Sequence, residues 1–486
     1  MPVRRSPRTA ALATASLLAL AACTGGEGAT ESAAESTDQS APDHSEQESS
    51  VGGPTSPSED ARSTFALDVD TASYDFARRS IADGNLPPTD QIRPEEFVNY
   101  FEQDYTEPDG PGFSLTVDGA ELPDWYEAGD ATHLMRVGLQ TRSESDAARD
   151  DVNLTFVIDV SGSMSDGDRI GIVKDSLHTL VDRLRPTDAV AIVAYETESH
   201  LVQGMTEVGD GDELHSAIDE LEVGGSTNMI DGLQDGYGIA AESFDHEKDN
   251  RVILLSDGEA NLGLTEHDAM LDDLDESIAE GTTLLTVGVG DSYNQGLLEQ
   301  LADNGDGWAV YFSTATEAER VFSERLTSTL GVAARDGRIQ VTFEADTVAE
   351  YRLIGFENRA VADEEFTDDS VDGGEVGPGH AVTALYAVSL TGEEGAVAGA
   401  EVRWLDPDTA EPGTAAASMT TADFDSTSEA LKVDLVAAAF AESLRGGTGF
   451  DCADLIPAAR DLAEQTGAPD VVELAELIAA AAELGG

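Results

Sequence analysis

Four short, strongly apolar segments alternate with amphipathic stretches between residues 151 and 330. They are Leu154 to Ile158, Ala189 to Ala194, Val252 to Leu255 and Leu284 to Val289. Strands that are apolar along their whole length are typical of a parallel sheet, because helices cover both of its faces. The alternation therefore predicts a doubly wound α/β domain with a parallel sheet over residues 151–332.

The segments on either side of this region have different patterns. Residues 62–150 combine helix signals with two alternating strand patterns, at Phe113 to Val117 and Leu134 to Leu139, which predicts an α+β domain. Residues 333–486 begin with alternating strand patterns and end with three helical stretches, which predicts a β-rich domain with terminal helices. The predicted organisation is a central α/β domain bracketed by separate N-terminal and C-terminal domains.

The first residues carry a targeting pattern. Arg4, Arg5 and Arg8 precede a short apolar run from Ala10 to Ala22, and small residues stand directly before Cys23. This pattern resembles that of bacterial lipoproteins, which implies a signal peptide over residues 1–22 and a lipid attached to the Cys23 sulfur. The run is shorter than the about 20 residues that span a bilayer, so we expect a lipid-anchored protein on the extracytoplasmic face of the cell membrane. An ordinary signal peptide followed by a chance cysteine is the alternative.

Composition predicts a linker and limits the choice of partners. Residues 24–61 contain no Lys, Arg or aromatic residue, so residues 23–61 are predicted to be a disordered acidic linker. The formal net charge of −71 is spread along the chain and makes nucleic acid and anionic lipid headgroups poor partners. Either a preference for cations or a general acidity of the organism's proteins explains this charge.

Three loops that follow predicted strands contain oxygen-bearing side chains. The first strand leads into Asp159, Ser161 and Ser163, a later loop runs from Gly224 to Asn228, and a third strand is followed by Ser256 to Glu259. Because the carboxyl ends of parallel strands meet at one edge of a sheet, we expect these three loops to lie together. Oxygen-only ligation suits a hard divalent cation, Mg²⁺, Mn²⁺ or Ca²⁺. The sequence therefore predicts a ligand site at this edge.

The spacing Asp-x-Ser-x-Ser, followed in order by the Thr and Asp loops, resembles the metal-ion-dependent adhesion site of the von Willebrand factor type A (VWA) family. The resemblance implies a Rossmann-like VWA fold, with Asp159, Ser161, Ser163, Thr227 and Asp257 as ligands of a divalent cation, most readily Mg²⁺. It also implies that a protein partner supplies an Asp or Glu carboxylate to the metal. We therefore expect a binding protein and not an enzyme.

The resemblance extends beyond the central domain. Ser63 to Tyr74, Pro94 to Phe101 and Tyr351 to Arg359 are similar to the flanks of YfbK-type bacterial lipoproteins. In that family, dedicated N-terminal and C-terminal domains bracket a VWA domain. The family match implies this architecture more clearly than it implies a biochemical role.

Other chemistries are less well supported by the residues. Nucleotide binding is not expected, because the glycines around Gly288 lack the dinucleotide-binding spacing and no P-loop lysine is present. The main alternative is a metal-dependent, phosphatase-like hydrolase with Asp159 as nucleophile, although serines stand where such a site needs a second carboxylate. Asp166 and Glu259 are close enough in sequence to orient metal-bound water, but surface charge is the simpler interpretation. Asp68 and Asp70 only weakly suggest a calcium loop.

Overall fold

The computed structural model describes residues 53–127, 129–144, 149–258, 281–290, 295–319, 321–322, 330–368, 371, 373–407, 409–446 and 448–485. The N-terminal segment contains β1 (Arg62–Ala66), α1 (Ala72–Ala82), α2 (Pro94–Asn99), β2 (Phe113–Glu121) and β3 (His133–Thr141). The central segment contains β4 (Asp151–Asp159), α3 (Arg169–Arg183), β5 (Ala189–Tyr195), β6 (Ser199–Glu207), α4 (Asp212–Asp219), α5 (Met229–Glu242), β7 (Lys248–Ser256), β8 (Thr282–Val289), α6 (Gln295–Asp303), β9 (Trp308–Phe312) and α7 (Ala315–Glu319). The C-terminal segment contains β10 (Ala334–Phe343), β11 (Val348–Ile354), β12 (Gly374–Val376), β13 (Ala381–Leu390), β14 (Ala396–Leu405), β15 (Pro412–Thr420), α8 (Glu429–Arg445), α9 (Cys452–Thr466) and α10 (Pro469–Gly485).

The central sheet has the strand order β6-β5-β4-β7-β8-β9. All neighbours are parallel except β5 and β6, which are antiparallel. The strand β4 is buried on both faces: Phe156 packs in the cluster that includes α3 and α4, and Val157 packs in the cluster that includes α5 and α6. The predicted doubly wound α/β fold is therefore confirmed, and the antiparallel edge strand β6 is an addition that was not predicted.

The two flanking segments share their sheets, contrary to the prediction of separate domains. In one sheet β1 pairs with β10, and the path continues through β14 and β15, with β12 also on β10. In the other sheet, β11-β13-β3-β2, the hairpin of β2 and β3 pairs with β13. A lone strand or hairpin is marginally stable, so residues 62–150 need the C-terminal strands to complete their sheets. Local patterns could not show this long-range pairing.

These two sheets and a helical layer form three layers. Alternate residues of β3 face in opposite directions: Met135, Val137 and Leu139 lie in the core shared by both sheets, and Leu134 lies in the core shared with the terminal helices. Phe440 on α8 and Ile478 on α10 are fully buried in that second core. The N-terminal and C-terminal segments therefore form one folded body.

The end of the predicted linker is ordered. The backbone N–H of Thr55 donates to the Tyr351 carbonyl at 2.8 Å, and the Tyr351 N–H donates to the Thr55 carbonyl at 2.9 Å. Composition predicted disorder through residue 61, but it carries no information about backbone pairing with a distant strand. The predicted signal peptide and Cys23 lie outside the described residues. None of the described helices is long and apolar enough to cross a membrane.

Candidate functional site

The first loop of the candidate site starts at the carboxyl end of β4, in the middle of the central sheet. Asp159 and Ser161 are buried, and Ser163 is half-buried. The Ser161 N–H donates to Asp159 Oδ1 at 2.9 Å, and the Ser161 and Ser163 hydroxyls are 3.1 Å apart. The three predicted ligands of this loop therefore lie side by side.

The third loop brings a second carboxylate to the same place, because β7 is the parallel neighbour of β4. The Ser256 hydroxyl donates to Asp159 Oδ2 at 2.9 Å and accepts the Gly258 N–H at 3.0 Å. Asp257 is fully buried. Burial raises the pKa of the Asp159 carboxyl, and the negative charge of Asp257 raises it further. A cation between two such carboxylates would relieve this repulsion.

Arg169, the first residue of α3, joins the two loops. Its Nη1 donates to Asp257 Oδ2 at 2.7 Å and to the Ser163 carbonyl at 3.3 Å. This guanidinium supplies positive charge to the buried Asp257 carboxylate. Neither Arg169 nor Ser256 was predicted from the sequence to be part of the site. Ser256 directly precedes Asp257, and Arg169 is one of only 26 basic residues against 97 acidic ones, so both left a weak signal.

The second loop, which contains Thr227, packs against the first. The Gly224 N–H donates to the Val160 carbonyl at 2.8 Å, and a Cβ added at Gly162 would lie 3.5 Å from the Gly225 carbonyl. Thr227 is half-buried and stands two residues before α5. All five predicted residues thus lie on loops at one edge of the sheet, and their role as metal ligands remains a prediction.

Two glycines let α5 approach the sheet closely enough to position that loop. A Cβ added at Gly236 would lie 2.3 Å from Val157 Cγ2, and one added at Gly232 would lie 2.6 Å from the Tyr195 ring. Such contacts require the neighbours to shift. Only glycine therefore fits at these two positions without a change in the packing of α5 on β4 and β5.

We expect Gly236→Ala to lower the free energy of unfolding by about 1–3 kcal/mol, because the added methyl group overpacks this contact. The measurement is urea denaturation followed by circular dichroism. Gly238→Ala is the matched control on the same helix, since a Cβ there meets no atom within 4 Å. The control should be neutral or stabilising, by up to about 1 kcal/mol. Equal effects of the two substitutions would contradict the close packing.

The remaining sequence candidates lie elsewhere. Asp166 is exposed, and Glu259 lies outside the described residues. Asp68 and Asp70 do not form a calcium loop: Arg359 lies 3.2 Å from Asp68 and 3.7 Å from Asp70, and Asp70 also accepts the Ala309 N–H at 3.2 Å. These contacts attach the flanking body to β9 of the central sheet.

Comparison with known proteins agrees with this fold. The family profile described as von Willebrand factor type A domain matches residues 153–324, one described as von Willebrand factor matches residues 43–133, and the C-terminal profile of YfbK matches residues 328–415. The chain is therefore a VWA-domain protein. Such domains often bind a divalent metal at a site of this type and mediate protein–protein interactions.

Three individual proteins are similar to this chain. The uncharacterized protein YfbK of Escherichia coli K12 is 35% identical over 343 residues, which cover 69% of this chain and 59% of YfbK. The uncharacterized protein sll0103 of Synechocystis is 30% identical over 197 residues, or 39% of this chain and 44% of that protein. A solved von Willebrand factor type A protein from Catenulispora acidiphila covers 74% of this chain and 87% of its own, with a TM-score of 0.46 and 16% identity. The chain is a YfbK-like protein that spans about three fifths of the length of its E. coli relative.

Proposed function

We propose that this YfbK-like protein is a lipid-anchored lipoprotein of the cell envelope that binds a protein ligand through a divalent cation. Asp159, Ser161, Ser163, Thr227 and Asp257 would hold the cation, with Mg²⁺ the best match and Mn²⁺ or Ca²⁺ acceptable. The observation that carries the proposal is the meeting of three loops, each with oxygen donors, at the carboxyl edge of the central sheet.

The donor chemistry fits a hard cation. The site combines two buried carboxylates with hydroxyl groups, and its predicted ligands include no thiol or imidazole. Ser256 orients Asp159 from behind, and Arg169 orients Asp257. When bound, the cation supplies an electrophilic point that a carboxylate can approach. Ser163 and Thr227 are half-buried and reach the surface, so a partner's Asp or Glu side chain would enter on their side.

The lipid anchor, the linker and the exclusion of nucleic acid are proposed from the sequence alone. Lipid on Cys23 and a linker would hold the folded part outside the membrane, where the negative surface excludes nucleic acid as a partner. The lipid anchor is the expected membrane contact.

A phosphatase-like role for Asp159 has less support from the geometry. A nucleophilic carboxylate needs a free oxygen that faces the substrate. Here one Asp159 oxygen accepts from the Ser161 N–H and the other from the Ser256 hydroxyl, and a cation held by the remaining lone pairs would leave neither oxygen free for a substrate. We therefore expect no hydrolysis of a generic phosphate ester in the presence of Mg²⁺.

Calorimetric titration of the full chain in detergent with Mg²⁺, Mn²⁺ and Ca²⁺ tests the proposal. We expect saturable binding at one site, lost in Asp159→Ala and in Asp257→Ala, because each variant removes one of two charged ligands. Asp175→Ala is the control, since this exposed carboxylate lies on α3 away from the three loops. Binding that survives in both site variants would overturn the proposal. If binding is lost as expected, partner capture with and without chelator follows.

A further inference from the structure

The pattern His-x-x-x-Asp occurs on each of two neighbouring helices of the central domain. His178 and Asp182 lie one turn apart on α3, and His215 and Asp219 lie one turn apart on α4. The two helices pack against each other. His178 is nine residues from Arg169, or about 13 Å along the helix, so this cluster is separate from the three loops.

The four side chains pair across the two helices. His178 Nε2 lies 3.3 Å from Asp219 Oδ1, and His215 Nε2 lies 3.2 Å from Asp182 Oδ1. The two Nδ1 atoms are 2.7 Å apart. The rings are inclined by 25° with centroids 4.9 Å apart, so they face each other edge to edge through these nitrogens.

The hydrogen-bonding capacity of the four ring nitrogens limits how this pair can be arranged. A neutral imidazole has one N–H and one lone pair. If both Nε2 atoms donate to their carboxylates, both Nδ1 lone pairs point at each other across 2.7 Å. A hydrogen between them requires either a positively charged ring or the loss of one carboxylate contact. A metal ion bound by both Nδ1 atoms satisfies all four nitrogens with neutral rings.

We propose that His178 and His215 form a second metal site, selective for a borderline transition metal such as Zn²⁺, Ni²⁺ or Cu²⁺. Imidazole is a preferred ligand of these ions, and hard ions such as Mg²⁺ prefer oxygen. Asp182 and Asp219 act as positioning residues, because a carboxylate that accepts the second ring N–H fixes the tautomer and orientation of a ligating histidine.

The surroundings of the pair allow such binding. The imidazoles are 30% and 28% exposed, so an ion reaches them from solvent. Two metal–nitrogen bonds of about 2.0–2.1 Å at a tetrahedral angle require the Nδ1 atoms, now 2.7 Å apart, to separate to about 3.3 Å. Among the described residues, no group of three or more His, Cys, Asp or Glu is arranged to hold a metal. Water or a ligand from another molecule therefore completes the coordination. The protein then has one oxygen site for hard cations, on the three loops, and one imidazole site for transition metals, on α3 and α4.

Titration of the full chain with Zn²⁺ in excess Mg²⁺ tests this site, because Mg²⁺ keeps the oxygen site occupied without competing for imidazole. We expect one Zn²⁺ to bind, with affinity lowered at least about tenfold in His178→Ala and in His215→Ala. Asp219→Ala should lower it by about tenfold, the lower end of the usual range for such a partner, since it removes only the orientation of one ring. His200→Ala, an exposed histidine on β6, is the control and should bind as the unaltered protein does.

Nuclear magnetic resonance of ¹⁵N-labelled histidines gives a second measurement. Zn²⁺ is titrated into the unaltered protein, and the variants serve only to assign resonances. Zn²⁺ should shift the Nδ1 resonances of two histidines and leave their Nε2 atoms protonated. Each alanine variant should lose the resonances of one of these two histidines, which assigns the pair. A pair that only shares a proton would show no Zn²⁺-dependent shift. That result, or equal Zn²⁺ affinity in all variants, would overturn the proposal.

Discussion

Replacing Arg136 by methionine is expected to lower the free energy of unfolding by about 3–5 kcal/mol, the usual cost of leaving a buried charge without its partner. Arg136 lies on β3 and is 2% exposed. Its Nε and Nη2 donate to both oxygens of Asp118 at 2.9 and 3.0 Å, and its Nη1 donates to Asp434 Oδ2 at 3.1 Å. The pairing joins the N-terminal hairpin to helix α8, so its loss weakens the shared body.

The loss of stability in Arg136→Met depends mainly on Asp434, which is fully buried. Burial raises the pKa of the Asp434 carboxyl to about 6, even though Arg136 and a hydrogen bond from Gln103 lower it. Without the arginine the carboxylate must either stay unpaired or take up a proton. Urea denaturation near neutral pH measures the cost.

Two variants separate this explanation from a general loss of packing. Arg136→Met combined with Asp434→Leu removes the fully buried pair and leaves the partly exposed Asp118 without its arginine. It should recover much of the stability, because apolar replacement of a buried pair is often neutral. Arg445→Met breaks a partly exposed pair with Glu357 and should cost less than about 1 kcal/mol. Equal losses in Arg136→Met and Arg445→Met would contradict the assignment.

Replacing Glu95 by glutamine is expected to stabilise the protein by up to about 3 kcal/mol near pH 8 and to have little effect near pH 4. Glu95, on α2, is 1% exposed, and neither of its oxygens has a hydrogen-bond partner among the described residues. Burial raises its pKa from 4.5 to about 7, and the charges of Asp68 and Glu357 add to the rise. Each pKa unit corresponds to about 1.4 kcal/mol.

The sign of this pH dependence follows from proton binding to Glu95. Between about pH 4.5 and 7 the folded protein holds the Glu95 proton and the unfolded chain has released it. The stability that protonation of Glu95 contributes is fully present below the pKa of Glu95 in the unfolded chain. It is lost as pH rises through the pKa of Glu95 in the folded protein. Glutamine cannot ionise, so the variant should lose less stability over this range.

Urea denaturation of both proteins at intervals from about pH 4 to pH 8 measures this difference. Glu401→Gln, at an exposed position on β14, is the control and should leave the pH dependence unchanged. A constant difference between Glu95→Gln and the unaltered protein across this range would mean that Glu95 does not titrate as its burial predicts.

Much of the central domain followed from the sequence alone. Apolar runs of strand length separated by helical patterns predict a parallel sheet, and a parallel sheet brings the residues after its strands to one edge. The three loops that follow these strands were therefore expected at one edge of the sheet. The choice of Asp159, Ser161, Ser163, Thr227 and Asp257 as ligands came from the family resemblance, because periodicity alone does not distinguish them from their neighbours in the same loops.

Tertiary structure alone decided how distant segments pair. No local pattern shows that β1 pairs with β10, that Arg169 reaches Asp257, or that His178 and His215 meet. Each of these contacts joins residues far apart in sequence, and periodicity reports only which face of an element is buried. The choice of partner depends on how whole sheets and helices pack, so it becomes visible only in the folded chain.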